Sequence, residues 1–185
     1  NVLVSDFSLD QTHGSLFLTG RYSAVNDFDP SAVTANLAYP GGAASYVAKY
    51  DLNGNYKWAK GFNIQMANGT ISYHNSYIKA DIQGGVLAIG TYSAPFDADP
   101  NMGTYTISPN GSLDTYVYKL DSLGQFVWGG TMGGSGNCYA RGMDIDNQGN
   151  IYYTGYFTNT TDFDPSVVNN DVTAMGPTDA FISKI

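Results

Sequence analysis

One pattern of residues recurs three times along the chain, at spacings of 70 and then 65 residues. It is anchored on Gly20, Gly90 and Gly155, and each of these glycines ends a run of apolar residues. A turn glycine lies six residues before each anchor, and an aromatic residue lies two residues after it. A repeat of this length means that one supersecondary unit is used several times, with neighbouring units burying each other's apolar faces.

The pattern continues well beyond the anchor. An Asp-x-Asp-Pro motif begins seven residues after each anchor glycine. Its carboxylates form three pairs, which are Asp27 and Asp29, Asp97 and Asp99, and Asp162 and Asp164. Each copy also has a lysine 29 residues after its anchor, and the first two copies continue to Trp58 and Trp128. The difference in spacing falls after the tryptophan, so a loop follows it, because strands do not absorb insertions without a register slip.

Each copy predicts four β-strands separated by turns rich in Asp, Asn and Gly. The eleven predicted strands cover residues 2–9, 16–19, 45–50, 55–60, 76–82, 86–89, 115–120, 125–130, 140–145, 151–154 and 180–185. The second strand of each copy is apolar on consecutive residues, which indicates burial on both faces. All sixteen acidic residues are Asp and none is Glu, which also favours turns over helices.

These features predict an all-β chain of β-propeller blades, each with four antiparallel strands. We expect Trp58 and Trp128 to pack between blades. A β-sandwich does not account for the long period, and the coils of a β-solenoid are usually shorter. The predicted blades occupy about residues 1–70, about 71–136 and, as a partial third blade, about 137–185 of one propeller segment.

This incomplete ring predicts that the rest of a parent chain completes the propeller, since propellers close with about four to eight blades. The chain starts at Asn1 rather than Met, and a third Trp would fall eight residues beyond Ile185. Both features favour a processed or partial product of a longer protein.

Charge and composition exclude several functions. The net charge is −8, which disfavours binding to nucleic acid or to an anionic membrane surface. No apolar run of about 18 residues occurs, so no membrane insertion is predicted. The single cysteine, Cys138, cannot form an internal disulfide and is expected to be a buried small side chain.

The Asp-x-Asp-Pro motif has two interpretations. Carboxylates two residues apart on a strand point to the same side, and calcium favours such oxygen-rich positions. All six motif aspartates are therefore candidate calcium ligands, and calcium is the one cofactor the sequence suggests. Alternatively, the motif is a turn in which Asp accepts backbone N–H bonds and Pro fixes the bend.

The repeat resembles a known bacterial family. The sequence GNIYYTGYF at 149–157, DFDP at 162–165, DAFISKI at 179–185 and YVAKYDLNGNYKWAK at 46–60 are similar to the β-propeller repeat called SBBP. The resemblance covers essentially the whole chain and implies a secreted or cell-surface protein. The DFDP form resembles versions from Bacteroidota, which often export such proteins by type IX secretion. The middle copy departs from it, with Ala98 in place of Phe.

The resemblance supplies no catalytic residue, and acids that recur in every copy favour structure over catalysis. We therefore expect a non-catalytic binding or scaffold module, with an adhesin-like role as one form of it. Its expected partners are an extracellular glycan or protein ligand and the secretion machinery. Two alternatives stay open: part of a propeller enzyme acting on polysaccharide, and a calcium-stabilised structural array.

Overall fold

The computed structural model describes residues 1–41, 44–64, 77–166 and 168–185. Within these ranges the chain is all β, which confirms the predicted class, and no described helix could cross a membrane. The strands are β1 (Val2–Asp10), β2 (Ser15–Tyr22), β3 (Asn26–Asp27), β4 (Asn36–Leu37), β5 (Ala44–Asp51), β6 (Tyr56–Phe62), β7 (Tyr77–Ala80), β8 (Val86–Tyr92), β9 (Phe96–Asp97), β10 (Thr106–Ile107), β11 (Asp114–Leu120), β12 (Phe126–Gly134), β13 (Cys138–Ile145), β14 (Ile151–Phe157), β15 (Thr160–Asp162), β16 (Asp171–Thr173) and β17 (Asp179–Lys184).

The long strands form three antiparallel sheets in chain order. The first sheet has the order β1-β2-β5-β6. The second sheet repeats this as β7-β8-β11-β12 and is extended at β12 by β15 and β16. The third sheet has the order β13-β14-β17. The four strands predicted for a copy are thus seen in the first two sheets, and three of them in the third.

Short hairpins were missed by the sequence analysis. β3 pairs with β4, β9 with β10, and β15 with β16, and each pair begins with a strand that contains the first Asp of an Asp-x-Asp-Pro motif. Strands of two or three residues are too short to show a hydrophobic period. The third hairpin also joins the second sheet, because Gly133 and Gly134 of β12 pair with Asp162 and Thr161.

Apolar side chains lie between successive sheets. One cluster joins Phe17 and Val47 of the first sheet to Ala88 of the second. Another joins Leu87 and Ile89 of the second sheet to the third sheet. Consecutive residues of β8 therefore face opposite neighbours, and all seven residues of that strand are buried, as its unbroken apolar run predicts.

The tryptophans lie at these contacts. Trp58 packs against the cluster between the first two sheets, and its indole N–H donates to the carbonyl of Ser122 in the second sheet at 3.1 Å. Trp128 packs against the cluster between the second and third sheets. Three antiparallel sheets packed in chain order are consistent with a β-propeller-like fold.

Two of the three anchor glycines are required by the first hairpin of their repeat. Gly20 and Gly155 lie opposite irregularities in β1 and β13, where the register shifts by one residue. A Cβ on Gly20 would lie 1.8 Å from the carbonyl oxygen of Leu3, and one on Gly155 would lie 1.8 Å from that of Tyr139. Only glycine lets the two strands approach this closely.

We expect Gly155→Ala to lower the free energy of unfolding by about 1–3 kcal/mol, because β13 must move away from β14. The matched control is Gly142→Ala in β13, where the nearest atom to the new Cβ is Thr154 Cγ2, at an ordinary 3.5 Å. Urea unfolding followed by tyrosine fluorescence measures both. Equal losses for the two variants would contradict the proposed role of the anchor.

Candidate functional site

The Asp-x-Asp-Pro carboxylates, which are the candidate site from sequence, hold loops closed in all three copies. In the first copy, Asp27 Oδ1 accepts the backbone N–H of Asp29 at 3.0 Å and that of Ala35, eight residues on, at 2.8 Å. The same two bonds recur from Asp97 to Asp99 and Tyr105, and from Asp162 to Asp164 and Asn170. The first Asp of the motif thus closes the hairpin loop that follows it.

The second Asp of each motif caps the next turn. Asp29 Oδ1 accepts the N–H of Ser31 at 2.8 Å, and Asp164 Oδ1 accepts that of Ser166 at the same distance. The N–H groups of Ala35 and Asp29 lower the pKa of Asp27. The hydroxyl and N–H of Ser166 likewise lower the pKa of Asp164. These carboxylates are therefore charged at neutral pH, with backbone donors around them.

The turn interpretation has the hydrogen bonds that it requires. A calcium ion needs six to eight oxygen ligands. Each motif supplies two carboxylates, and in each carboxylate one oxygen already accepts backbone N–H groups. No group of three or more metal-binding side chains occurs among the described residues. Calcium binding at Asp27, Asp29, Asp97, Asp99, Asp162 and Asp164 stays an untested prediction.

A second set of aspartates closes the strand-to-strand turns. Their Oδ1 atoms accept the N–H groups two and four residues on, at 2.7–3.0 Å, and these residues are Asp51, Asp81, Asp121 and Asp146. In each turn the fourth residue is a glycine with φ between +75° and +86°. The sequence predicted these turns, but not that one carboxylate oxygen holds two donors in each.

Asp81 is the most buried of these turn acids. Its second oxygen lies 2.8 Å from the ammonium of Lys119, and the side chain is only 4% exposed. Burial alone would raise the pKa of Asp81, but Lys119 and the N–H groups of Gly85 and Gln83 outweigh it and hold the pKa below its ordinary value. The pair therefore ties β11 to the turn between β7 and β8.

Lys49 makes a contact between sheets that sequence reasoning did not identify. Its ammonium donates to the carbonyls of Gly84 and Ser122 in two turns of the second sheet, at 3.2 and 3.1 Å. It also lies 5.0 Å from the ring centre of Phe17. Burial lowers the pKa of Lys49, and nearby aspartates, Asp10 first, oppose the shift. The recurrence of this lysine in each copy was the available signal.

Asp114 is the most deeply buried aspartate among the described residues. It is fully buried, and its Oδ2 accepts the N–H groups of Asn110 and Gly111. Burial raises the pKa of Asp114 above its ordinary value. Asp179, at the same position of the third copy, accepts the N–H of Met175 at 2.7 Å. A perturbed acid can mark a catalytic site, but this one closes a loop in two of the three copies.

An open cleft lies where the first strand of each of the three sheets ends, that is, at the ends of β1, β7 and β13. It is lined by the turn acids Asp10, Asp81 and Asp146 and by apolar side chains such as Leu9 and Ile82. Each acid already has a side-chain partner: His13 for Asp10 at 2.8 Å, Lys119 for Asp81 and Asn150 for Asp146 at 2.7 Å.

The single cysteine lies outside this cleft. Cys138 is buried, as predicted, and burial raises the pKa of its thiol to about 12.

We expect Asp81→Ala to lower the free energy of unfolding by about 2–4 kcal/mol, because it removes the acceptor of the buried Gly85 N–H and of the Gln83 N–H, and the counter-charge of Lys119. Asp81→Asn is the matched variant. It keeps an oxygen for the N–H groups and loses only the charge, so its loss should be smaller. Chemical denaturation compares the two, and an Asn variant as unstable as the Ala variant would contradict the assigned roles.

The melting temperature separates the two interpretations of the Asp-x-Asp-Pro motif. Because each motif supplies only two carboxylates, and backbone donors already bind one oxygen of each, we expect the same Tm in excess calcium and in excess chelator. A calcium-dependent rise in Tm that disappears in Asp97→Asn would establish the calcium interpretation instead.

No protein-family model matches the chain. Among curated proteins, an uncharacterized WD repeat-containing protein of Acanthamoeba polyphaga mimivirus is 25% identical over 152 residues. The similarity covers 77% of this chain and 11% of that relative. The chain therefore spans about a tenth of the relative's length, and the similarity is consistent with a repeat of the β-propeller type.

Proposed function

We propose that this chain is a non-catalytic binding or scaffold segment of a β-propeller in a secreted or cell-surface bacterial protein. The proposal rests on the structural role of the aspartates that recur in the repeat. Carboxylates that recur in all three copies hold loops and turns through backbone N–H groups, as Asp27, Asp97 and Asp162 do. Groups engaged in this way stiffen a surface on which loops can present a ligand site.

The cellular setting of the proposal comes from the resemblance to the SBBP repeat. Secretion, attachment to the surface of a Bacteroidota cell and export by the type IX system are what that resemblance implies. An extracellular glycan or protein is accordingly the proposed ligand, and further repeats of a parent protein are proposed to complete the ring.

A glycan-binding array and a polysaccharide hydrolysis screen on the parent protein test the proposal together. We expect binding without turnover. Replacing both acids of one motif, Asp97 and Asp99, by Asn should leave that binding unchanged apart from a lower Tm, because the pair serves its own loop. Turnover that a single point mutation abolishes would overturn the proposal in favour of a polysaccharide-cleaving enzyme.

A further inference from the structure

We propose that the edge where the fourth strand of the first sheet, β6, meets the second sheet binds a glycan that carries carboxylate groups, such as a chain of uronic acids. The inference rests on the proposed function and deepens it, since it gives the extracellular glycan a chemical class and a place. We call this place the Lys60–Tyr105 surface, and it consists of Trp58, Lys60, Asn101, Tyr105 and Phe126.

The side chain of Tyr105 is not explained by the loop that carries it. In each copy, the first Asp of the Asp-x-Asp-Pro motif accepts the N–H of the residue eight positions on. That residue is Tyr105 in the second copy, but Ala35 and Asn170 in the other two. Loop closure uses only the backbone, and an Asn in place of Asp97 would still supply an acceptor oxygen. The repeat therefore provides a support on which the side chain is free to differ.

The ring of Tyr105 is fixed in position and accessible. Its hydroxyl donates to the carbonyl of Gly129 at 2.9 Å, and its ring centre lies 4.5 Å from that of Phe126, with 33° between the two planes. Tyr105 is nevertheless 43% exposed. The face of an aromatic ring is negative and attracts the C–H groups on a flat side of a sugar ring. Because this ring is already ordered, binding costs little side-chain entropy.

Lys60 reaches the same loop from the first sheet. Its ammonium donates to the side-chain oxygen of Asn101 at 2.7 Å. The amide nitrogen of Asn101 in turn donates to Asp99 Oδ1 at 3.2 Å and to the carbonyl of Gly124 at 3.4 Å. These contacts hold the ammonium of Lys60 against the loop that ends at Tyr105.

The charge of Lys60 has no carboxylate partner among the described residues. Lys57, Lys79 and Lys119 each form an ion pair with an aspartate. Lys60 instead bonds to a neutral amide, and an ammonium group has three donors, of which this contact uses one. In a chain of net charge −8, such a cation favours an anionic group on the ligand.

The turn at Gly124 connects the cation to the aromatic ring. A Cβ on Gly124 would lie 2.9 Å from Lys60 Cε and 3.1 Å from Trp58 Cδ2, so the turn is in close contact with both side chains. Two residues further on, Phe126 packs against Tyr105. Trp58, Lys60 and Phe126 are half-buried and Tyr105 is exposed, so these side chains form one continuous strip of surface.

An acidic sugar matches both features of this strip. Its pyranose ring offers a C–H face to Tyr105, and its carboxylate accepts charge-assisted hydrogen bonds from Lys60. A neutral sugar would use the ring alone, and an acidic peptide would use the ammonium alone. The net charge of −8 disfavours nucleic acid, the other common polyanion.

Isothermal titration calorimetry on the 185-residue chain tests the proposal. The acidic probes are the trimers of galacturonate and of mannuronate. Fully methyl-esterified trigalacturonate keeps the sugar rings without the charge, and tetraglutamate keeps carboxylates without a sugar. We expect a dissociation constant below about 1 mM for at least one acidic trimer, and binding at least about tenfold weaker for the ester and the peptide.

Substitutions assign the binding to this surface. Tyr105→Ala and Lys60→Gln should each weaken binding of the acidic trimer at least about tenfold. Tyr105→Phe keeps the ring and Lys60→Arg keeps the charge, so both should retain most of the affinity. Lys57→Gln is the control, because it removes the same charge from the opposite side of β6, where Lys57 pairs with Asp51. Circular dichroism checks that each variant is folded.

Several results would overturn the proposal. These are failure of both acidic trimers to bind, affinity that Tyr105→Ala and Lys60→Gln leave unchanged, and equal affinity for tetraglutamate or for the ester. The proposed function fails by a different result, which is turnover of the glycan. A glycan bound by the parent protein independently of Lys60 and Tyr105 would leave the proposed function standing and overturn only this site.

Discussion

Burial of one sheet against the next is the interaction on which the rest of the structure depends. A four-stranded sheet with apolar side chains on both faces cannot cover itself, so each unit is stable only beside its neighbours. The second sheet satisfies this on both sides, and its strand β8 is buried along its whole length. Hydrogen bonds such as those of Lys49 and Trp58 set the relative position of two sheets, but the buried apolar area between the sheets supplies most of the stabilisation.

The loops depend on a different constraint, which the composition reflects. A turn of four or five residues leaves backbone N–H groups without strand partners, and an Asp carboxylate is short enough to reach donors two and four residues on. Asp51 and Asp146 do this on strand turns, whereas Asp27 holds donors two and eight residues on in a longer loop. Glu, with one more methylene, does not fit this geometry as well, and the chain has no Glu among its sixteen acidic residues.

The repeat made much of the fold predictable. The glycine, tryptophan and Asp-x-Asp-Pro spacings gave the class, the order of the long strands and the double burial of β8, because each depends on a local period or on a turn residue. Two features escaped. The short hairpins such as β3 and β4 are too brief to leave a period in the sequence. The contacts of Lys49 depend on where the next sheet lies, which no local pattern encodes.

The candidate site was predictable only in part. The pairing of acids such as Asp97 and Asp99 identified the loops. The same motif, however, is compatible with a strand in which both carboxylates point to one side and with a turn in which they bind backbone N–H groups. The structure shows the turn. Asp114 gave only a partial signal, because an acid recurs at its position as Asp179 but the first-copy counterpart is Ala44. Its burial comes from the surrounding loops.

Amide hydrogen exchange at residue resolution tests the central claim, that packing between sheets stabilises each unit, most directly. At a concentration where the chain is monomeric, amides of β8 and β11 should exchange most slowly, near the rate of global unfolding, because the second sheet is covered on both faces. Amides of β14 and β17 should exchange faster through local opening of an end sheet. Slower exchange in an end sheet than in the second sheet would contradict the account.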